Sequence, residues 1–259
     1  MARKNKKTRV IGVISGKGGV GKTTVASNMA AILTKEFKKD VVIVDCNITT
    51  SHLSLSLGMY YCPVTLNHVL RKEKHILESI YDHPSGMKII PASLQLEELE
   101  GVDITELENV IEHLKGKTDY VILDVAPGLG REAYAALRAS EEIILVTNPN
   151  MPAVADIIKS KDVIKEMEKY PLGVVLNMYN DHSYELSKKE VEVLTDLPVI
   201  AMIPTDKNVA ISLNEKMPVY LHKPGSSSSK NMIRLVEHLT GEKRETFLSK
   251  LLKGLSFSK

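Results

Sequence analysis

An α/β fold with a three-layer, doubly wound and mostly parallel sheet is predicted for this chain, and three observations carry that prediction. Short β-branched apolar runs alternate with helical patterns along its length. A glycine-rich turn, Gly16-Lys17-Gly18-Gly19-Val20-Gly21-Lys22-Thr23-Thr24, joins the first such run to the first helical pattern. Two further runs end in an aspartate, Asp45 and Asp124, and ligands of such sheets bind outside the carboxyl ends of the strands. The length of 259 residues suits one domain of this class, and a hydrophobic content of 43% supplies its core.

Taken in order, Val10-Ile11-Gly12-Val13-Ile14 has the length of a buried parallel strand. The glycine-rich turn follows, and residues 25–33 carry helical periodicity. Strands are then expected at 41–45, 87–90, 120–124, 142–147, 173–177 and 198–203. Helical patterns lie between most of them, at 104–114, 132–139, 152–170, 187–194 and 208–215. Residues 223–230, with Pro224-Gly225 and four serines, read as a loop that N-caps a last core helix at 231–239, with Gly241 as its C-cap. The core domain is thus expected at 10–241. A tail at 242–259 follows it, and a basic arm at 1–9 precedes it. The arm holds Arg3, Lys4, Lys6, Lys7 and Arg9 without an apolar stretch, so it is not a signal peptide.

Composition narrows the function classes. A net charge of +2 argues against a protein built to coat nucleic acid. Cys46 and Cys62 are too few for a disulfide framework and fit a reducing cytosol. They are not spaced as C-x-x-C, so they read as small hydrophobes rather than as ligands of a metal or cluster. No segment approaches the roughly twenty apolar residues that span a bilayer.

The glycine-rich turn satisfies G-x-x-x-x-G-K-[ST] in the strand–turn–helix context that this motif requires. Gly16, Gly18, Gly19 and Gly21 let backbone N–H groups turn inward around an anionic phosphate, and Val20 lies among them. The positive end of the following helix favours the same anion. Lys22 is expected at the β- and γ-phosphates of a nucleotide, Thr23 at Mg²⁺ and Thr24 at the α-phosphate. A nucleotide with Mg²⁺ is therefore the expected ligand.

Asp124 ends the strand Tyr120-Val121-Ile122-Leu123 and precedes Val125-Ala126-Pro127-Gly128, which fits an acid that holds Mg²⁺ through water. Asp45 ends Val41-Val42-Ile43-Val44 in the same way. Its spacing fits two roles, a bond to a Mg²⁺ water or orientation of the attacking water, and equally a cap of a βα turn shared with Asn47. Asn47 has no useful basicity in either case. Asn177 ends another strand, and Pro204-Thr205-Asp206 follow a third, where an adenine could sit. An Asn side chain both donates and accepts, as an adenine edge demands, yet each is also an ordinary turn residue.

With these motifs in place, the chain resembles the MinD/ParA family of deviant Walker ATPases, P-loop NTPases of the SIMIBI type, over nearly its whole length. Lys17-Gly18-Gly19-Val20-Gly21-Lys22-Thr23-Thr24 matches the family's K-G-G-x-G-K-T-T box. Asp45 falls in its second box, and Asp124-Val125-Ala126-Pro127-Gly128 in its third. The resemblance implies a homodimer sandwiching ATP, in which Lys17 reaches the phosphates of the partner's nucleotide. It implies catalytic roles for Lys17, Lys22, Asp45 and Asp124, Mg²⁺ bound near Thr23, Asp45 and Asp124, and a base held near Asn177, Pro204 and Asp206. Members of the MinD-like branch carry a second aspartate two residues after the first, whereas this chain has Asn47. Slow hydrolysis with ATP binding and dimerisation intact is the consequence.

The tail distinguishes the branches. Phe247, Leu248, Leu251, Leu252 and Leu255 fall on one side of a helix, and Ser249, Lys250, Lys253 and Ser256 on the other. A basic amphipathic segment reads as an anchor to an anionic membrane surface, the alternative being a last helix packed on its own sheet. It is similar to the membrane-targeting helix of the MinD-like branch, which implies a cytoplasmic protein peripheral to the inner face of the membrane, with an activator protein still to be identified. DNA partitioning, the ParA-like alternative, needs a basic duplex-binding surface, and the near-neutral charge argues against DNA. A regulator of flagellar number is the third reading within the family.

Overall fold

The computed structural model describes residues 7–244. The tail residues Phe247, Leu248, Leu251, Leu252 and Leu255 and the arm residues Arg3, Lys4 and Lys6 lie outside the described residues. Among the described residues, eight strands form one sheet: β1 (Arg9–Ile14), β2 (Val41–Asp45), β3 (Tyr81–Asp82), β4 (Lys88–Ile90), β5 (Tyr120–Asp124), β6 (Glu142–Thr147), β7 (Pro171–Tyr179) and β8 (Val199–Pro204). Their spatial order is β3-β4-β2-β5-β1-β6-β7-β8. Every pairing is parallel except the edge pair β3–β4.

The helices are α1 (Lys22–Lys35), α2 (Leu53–Ser56), α3 (Leu66–Leu70), α4 (Leu107–Glu112), α5 (Arg131–Ala139), α6 (Met151–Glu166), α7 (Lys188–Thr195), α8 (Lys207–Asn214), α9 (Val219–His222) and α10 (Ser227–Thr240). Side chains alternate across each strand, so the sheet feeds two apolar layers. Val10, Val44, Leu123 and Leu145 pack with residues of α4, α5 and α6, and Ile11, Ile43, Ile122 and Ile144 with residues of α1 and α10. This double burial is why the central strands read as unbroken apolar runs rather than alternating ones. Among the described residues, no helix is long and apolar enough to cross a membrane.

Four expectations shift. The pattern at 152–170 predicts a longer helix than α6, which ends at Glu166. Glu168 turns left-handed at φ 57°, and Tyr170 precedes Pro171, a position from which proline drives the backbone out of the helical region. Three of the four serines are helix rather than loop. Ser226 caps α10 through the Ser229 N–H, and Ser227–Ser229 form its first turn. Residues 104–114 divide into a 3₁₀ turn at Ile104–Glu106 and the shorter α4. β1 takes in Arg9, whose Nε donates to Glu142 at 2.6 Å and whose Nη1 donates to the Leu239 carbonyl at 2.7 Å. The edge strand β3 and the short helices α2, α3 and α9 have no expectation behind them, because pieces of two to five residues show no period.

Parallel register brings the chemistry to one edge. Asp45 lies directly beside Asp124 across β2 and β5, and Asp124 beside Val13 of β1, one residue short of that strand's end. The glycine-rich turn leaves β1 there, between the two acids on one side and β7 on the other.

Candidate active site

The turn is built by two close approaches that only glycine permits. A Cβ on Gly16 would stand 2.3 Å from the Asp156 Cβ of α6. Gly21 sits at φ 88°, where a Cβ would stand 2.2 Å from Asn177 Nδ2. That Nδ2 donates to the Val20 carbonyl at 2.7 Å, so Asn177 braces the turn from β7. The Asn148 side chain holds the Asn177 carbonyl in turn, at 3.0 Å. On the other side, the Gly128 N–H donates to the Ser15 carbonyl at 3.0 Å, tying the loop after β5 to the start of the turn.

Between these braces, Gly18 and Gly19 face open space, with nothing within 4 Å of an added Cβ. Gly21 caps α1 without a side-chain hydrogen bond, so no side chain claims the first N–H groups of that helix. Open glycines, unclaimed donors and a helix N-terminus together fit a bound phosphate chain. Lys17 is half-buried, and its ammonium forms no ion pair among the described residues.

Lys22 Nζ lies 3.0 Å from Asp124 Oδ1, with the two side chains 8% and 3% exposed. Asp45 is buried beside them and accepts from the Ser51 hydroxyl at 2.7 Å, the Asn47 N–H at 3.1 Å and the Leu53 N–H at 3.2 Å. Burial raises the Asp45 carboxyl above the ordinary range, and neighbouring Asp124 raises it further, against those hydrogen bonds. Burial also pushes up the Cys46 thiol, with Asp45 and Asp124 adding to it, so Cys46 is an inert core residue. Thr23 and Thr24 are half-buried in the first turn of α1 and line a cavity of about 160 Å³ shared with His52, Ser56 and Ser212. Two carboxylates and a hydroxyl fit a Mg²⁺ that keeps waters and phosphate oxygens for its other positions. Among the described residues, no group of three His, Cys, Asp or Glu side chains could hold a metal alone.

Asn47 takes the turn alternative. Its Nδ2 donates to the Thr50 carbonyl at 2.7 Å, and its Oδ1 accepts from the Thr50 hydroxyl at 3.0 Å. The amide is occupied within its own loop. Turnover by the purified protein is therefore expected well below about 1 per second, the low end of ordinary enzyme rates. Asn47→Asp is expected to raise it, and a phosphate-release assay without lipid or partner checks both. Fast turnover of the unmodified chain would contradict the slow site.

Asp206 stands where α8 and α10 begin, rather than at the turn. It accepts from the Asn208 N–H at 2.9 Å, the Ser228 N–H at 3.1 Å and the Ser227 and Ser228 hydroxyls, both at 3.0 Å. One carboxylate thus caps two helices. Burial works against its charge, but the hydrogen bonds from Asn208 and Ser228 prevail and hold it well below the usual carboxylate range. A depressed folded pKa gives stability that is complete above the unfolded value, about 4, and lost as pH falls through the folded one. Asp206→Ala loses about 1 kcal/mol per cap, lowering the melting temperature near neutral pH by about 4–8 °C. Lost ATP affinity at an unchanged melting temperature would instead make Asp206 a base contact. Pro204 ends β8 close by.

Three contacts here had no sequence signal, because each joins segments far apart in the chain. They are Asp156 against Gly16, Asn28 Oδ1 accepting from the Tyr220 N–H at 2.9 Å, and the Thr49 hydroxyl donating to Glu132.

The chain is similar to known proteins over most of its length. A family model described as an AAA domain matches residues 8–175. An uncharacterised ATP-binding protein of Methanocaldococcus jannaschii is 32% identical over 253 residues, covering 95% of this chain and 96% of the relative. The septum site-determining protein MinD of Thermotoga maritima is 29% identical over 245 residues, covering 90% and 88%. The structure of MinD from Pyrococcus horikoshii, complexed with Mg-ADP, is similar at a TM-score of 0.86 and 33% identity, covering 90% of this chain and 96% of that one.

Proposed function

The chain belongs to the MinD/ParA family of P-loop ATPases, and on that premise we propose that it is a nucleotide-driven switch that dimerises with ATP and associates reversibly with a membrane surface, MinD-like, in positioning the division site or another cellular structure. It is an ATPase that uses Mg-ATP. The observation that carries the proposed roles is the buried Lys22–Asp124 pair, 3.0 Å apart beside an open glycine turn. Such a lysine would exchange its carboxylate for phosphate oxygens, and Asp124, Thr23 and Asp45 are the residues that would hold Mg²⁺. When bound, Mg²⁺ neutralises charge on the phosphates. Asp45, fixed by three hydrogen bonds, places water. Asn177 keeps the turn in shape, and Thr24 meets the α-phosphate. Lys17, free of any ion pair among the described residues, extends to the nucleotide of a second copy.

Membrane association rests on the basic amphipathic tail. Co-sedimentation with anionic vesicles in ATP against ADP tests it. ATP-dependent pelleting supports the switch, and equal pelleting in both nucleotides removes it.

A further inference from the structure

Asp45, held by three hydrogen bonds, is the one acid that β2 and the loop after it (residues 46–52) bring to the attacking water. The Asn47 amide is taken up by Thr50. A carboxylate does reach this loop from elsewhere. Glu132, in the first turn of α5, accepts the Thr49 hydroxyl through Oε1. Glu132 is half-buried and forms no ion pair among the described residues, and its Oε2 accepts no hydrogen bond there. The contact crosses from the loop that follows Asp45 to the helix that follows Asp124, so one bond joins the two segments bracketing the candidate hydrolytic centre.

Resting on the Mg-ATPase reading of this site, we infer that Glu132 is a positioning residue for hydrolysis. Through Thr49 it holds residues 46–50 against α5, and its uncommitted oxygen supplies the negative charge beside that loop that Asn47 cannot. An acid so placed acts on where the loop holds water, not on how tightly ATP binds. Its loss therefore belongs in kcat.

The test separates charge from tether. Glu132→Gln keeps an acceptor for Thr49 but removes the charge. It is expected to lower single-turnover hydrolysis about tenfold, with ATP affinity within about twofold. Thr49→Val removes the tether, lowers hydrolysis similarly and raises amide hydrogen exchange in residues 46–52. Adding Asn47→Asp to Glu132→Gln returns the charge to the loop and recovers most of the rate. Hydrolysis unchanged in Glu132→Gln, ATP affinity falling in step with it, or no recovery from Asn47→Asp would each overturn the inference. Unaltered exchange in Thr49→Val would overturn it too. ATP binding by the unmodified chain without any hydrolysis would overturn the ATPase reading itself, a result distinct from hydrolysis that ignores Glu132.

Discussion

Lys22→Ala is expected to abolish ATP hydrolysis and weaken Mg-ATP binding by at least about 100-fold, the scale of losing a preorganised cation at a phosphate. The same substitution is expected to destabilise the protein without nucleotide, and that second effect follows from burial. Asp45 and Asp124 are partners across β2 and β5, with residue exposures of 1% and 2%. Lys22 is the cation bonded to Asp124. Removing it leaves two adjacent carboxylates in a place that water does not reach, a loss of about 3 kcal/mol. For a chain of this size that lowers the melting temperature by about 6–12 °C. The double variant Lys22→Ala with Asp124→Asn separates the two effects. It removes the orphaned charge along with the cation, so most of the melting temperature returns while ATP binding does not. Calorimetry and nucleotide titration on the three proteins check this. A double variant as unstable as Lys22→Ala would mean that Lys22 supports the fold through its methylene packing rather than its charge.

What sequence could reveal here was set by distance along the chain. The central strands were legible because burial on both faces turns each into an unbroken β-branched run, as in Val41-Val42-Ile43-Val44. The glycine turn was legible because its requirements are local: positive φ at Gly21, open space at Gly18 and Gly19, and a helix start at Lys22. Asn177 and Asp206 were legible only as polar residues at strand ends. Whether such a side chain meets a base, a backbone or a second helix depends on what the fold brings alongside. For Asn177 that is Val20, 157 positions away, and for Asp206 it is Ser227 and Ser228 of α10. The early start of α10 was hidden for the same reason. Serines at 226–229 favour loops in isolation, and their helical turn forms with Ser226 and Asp206 as acceptors for its N–H groups. Glu132 gave no signal at all, since its partner Thr49 lies on another loop.

Lys17→Ala is expected to leave ATP binding nearly intact yet remove the ATP dependence of membrane association, and deletion of residues 247–259 is expected to remove association altogether. The reasoning turns on how weak one tail is. On the proposed reading, five apolar side chains about half-buried at the lipid surface would contribute about 5 kcal/mol before ordering costs, and so short a helix would be marginal in water, so a single copy is expected to bind lipid weakly and reversibly. Joining two copies makes the second insertion intramolecular and raises apparent affinity about 10²-fold or more with no new contact. On the proposed reading, Lys17 would bear on that step and not on the first. Its carbonyl accepts from Ser15 Oγ at 2.9 Å, and the glycines beside it face open space where a second copy can approach. Lys22, by contrast, points inward at Asp124. Unmodified protein should therefore pellet with anionic vesicles far more in ATP than in ADP. Lys17→Ala in ATP should pellet like unmodified protein in ADP, and the truncated chain should stay in the supernatant with either nucleotide. Light scattering in ATP should find the Lys17→Ala protein monomeric and the truncated protein dimeric. A truncated chain that still pellets would place the lipid contact on the folded domain. A Lys17→Ala protein that pellets fully in ATP while remaining monomeric would make the switch a change within one copy, and avidity would no longer account for it.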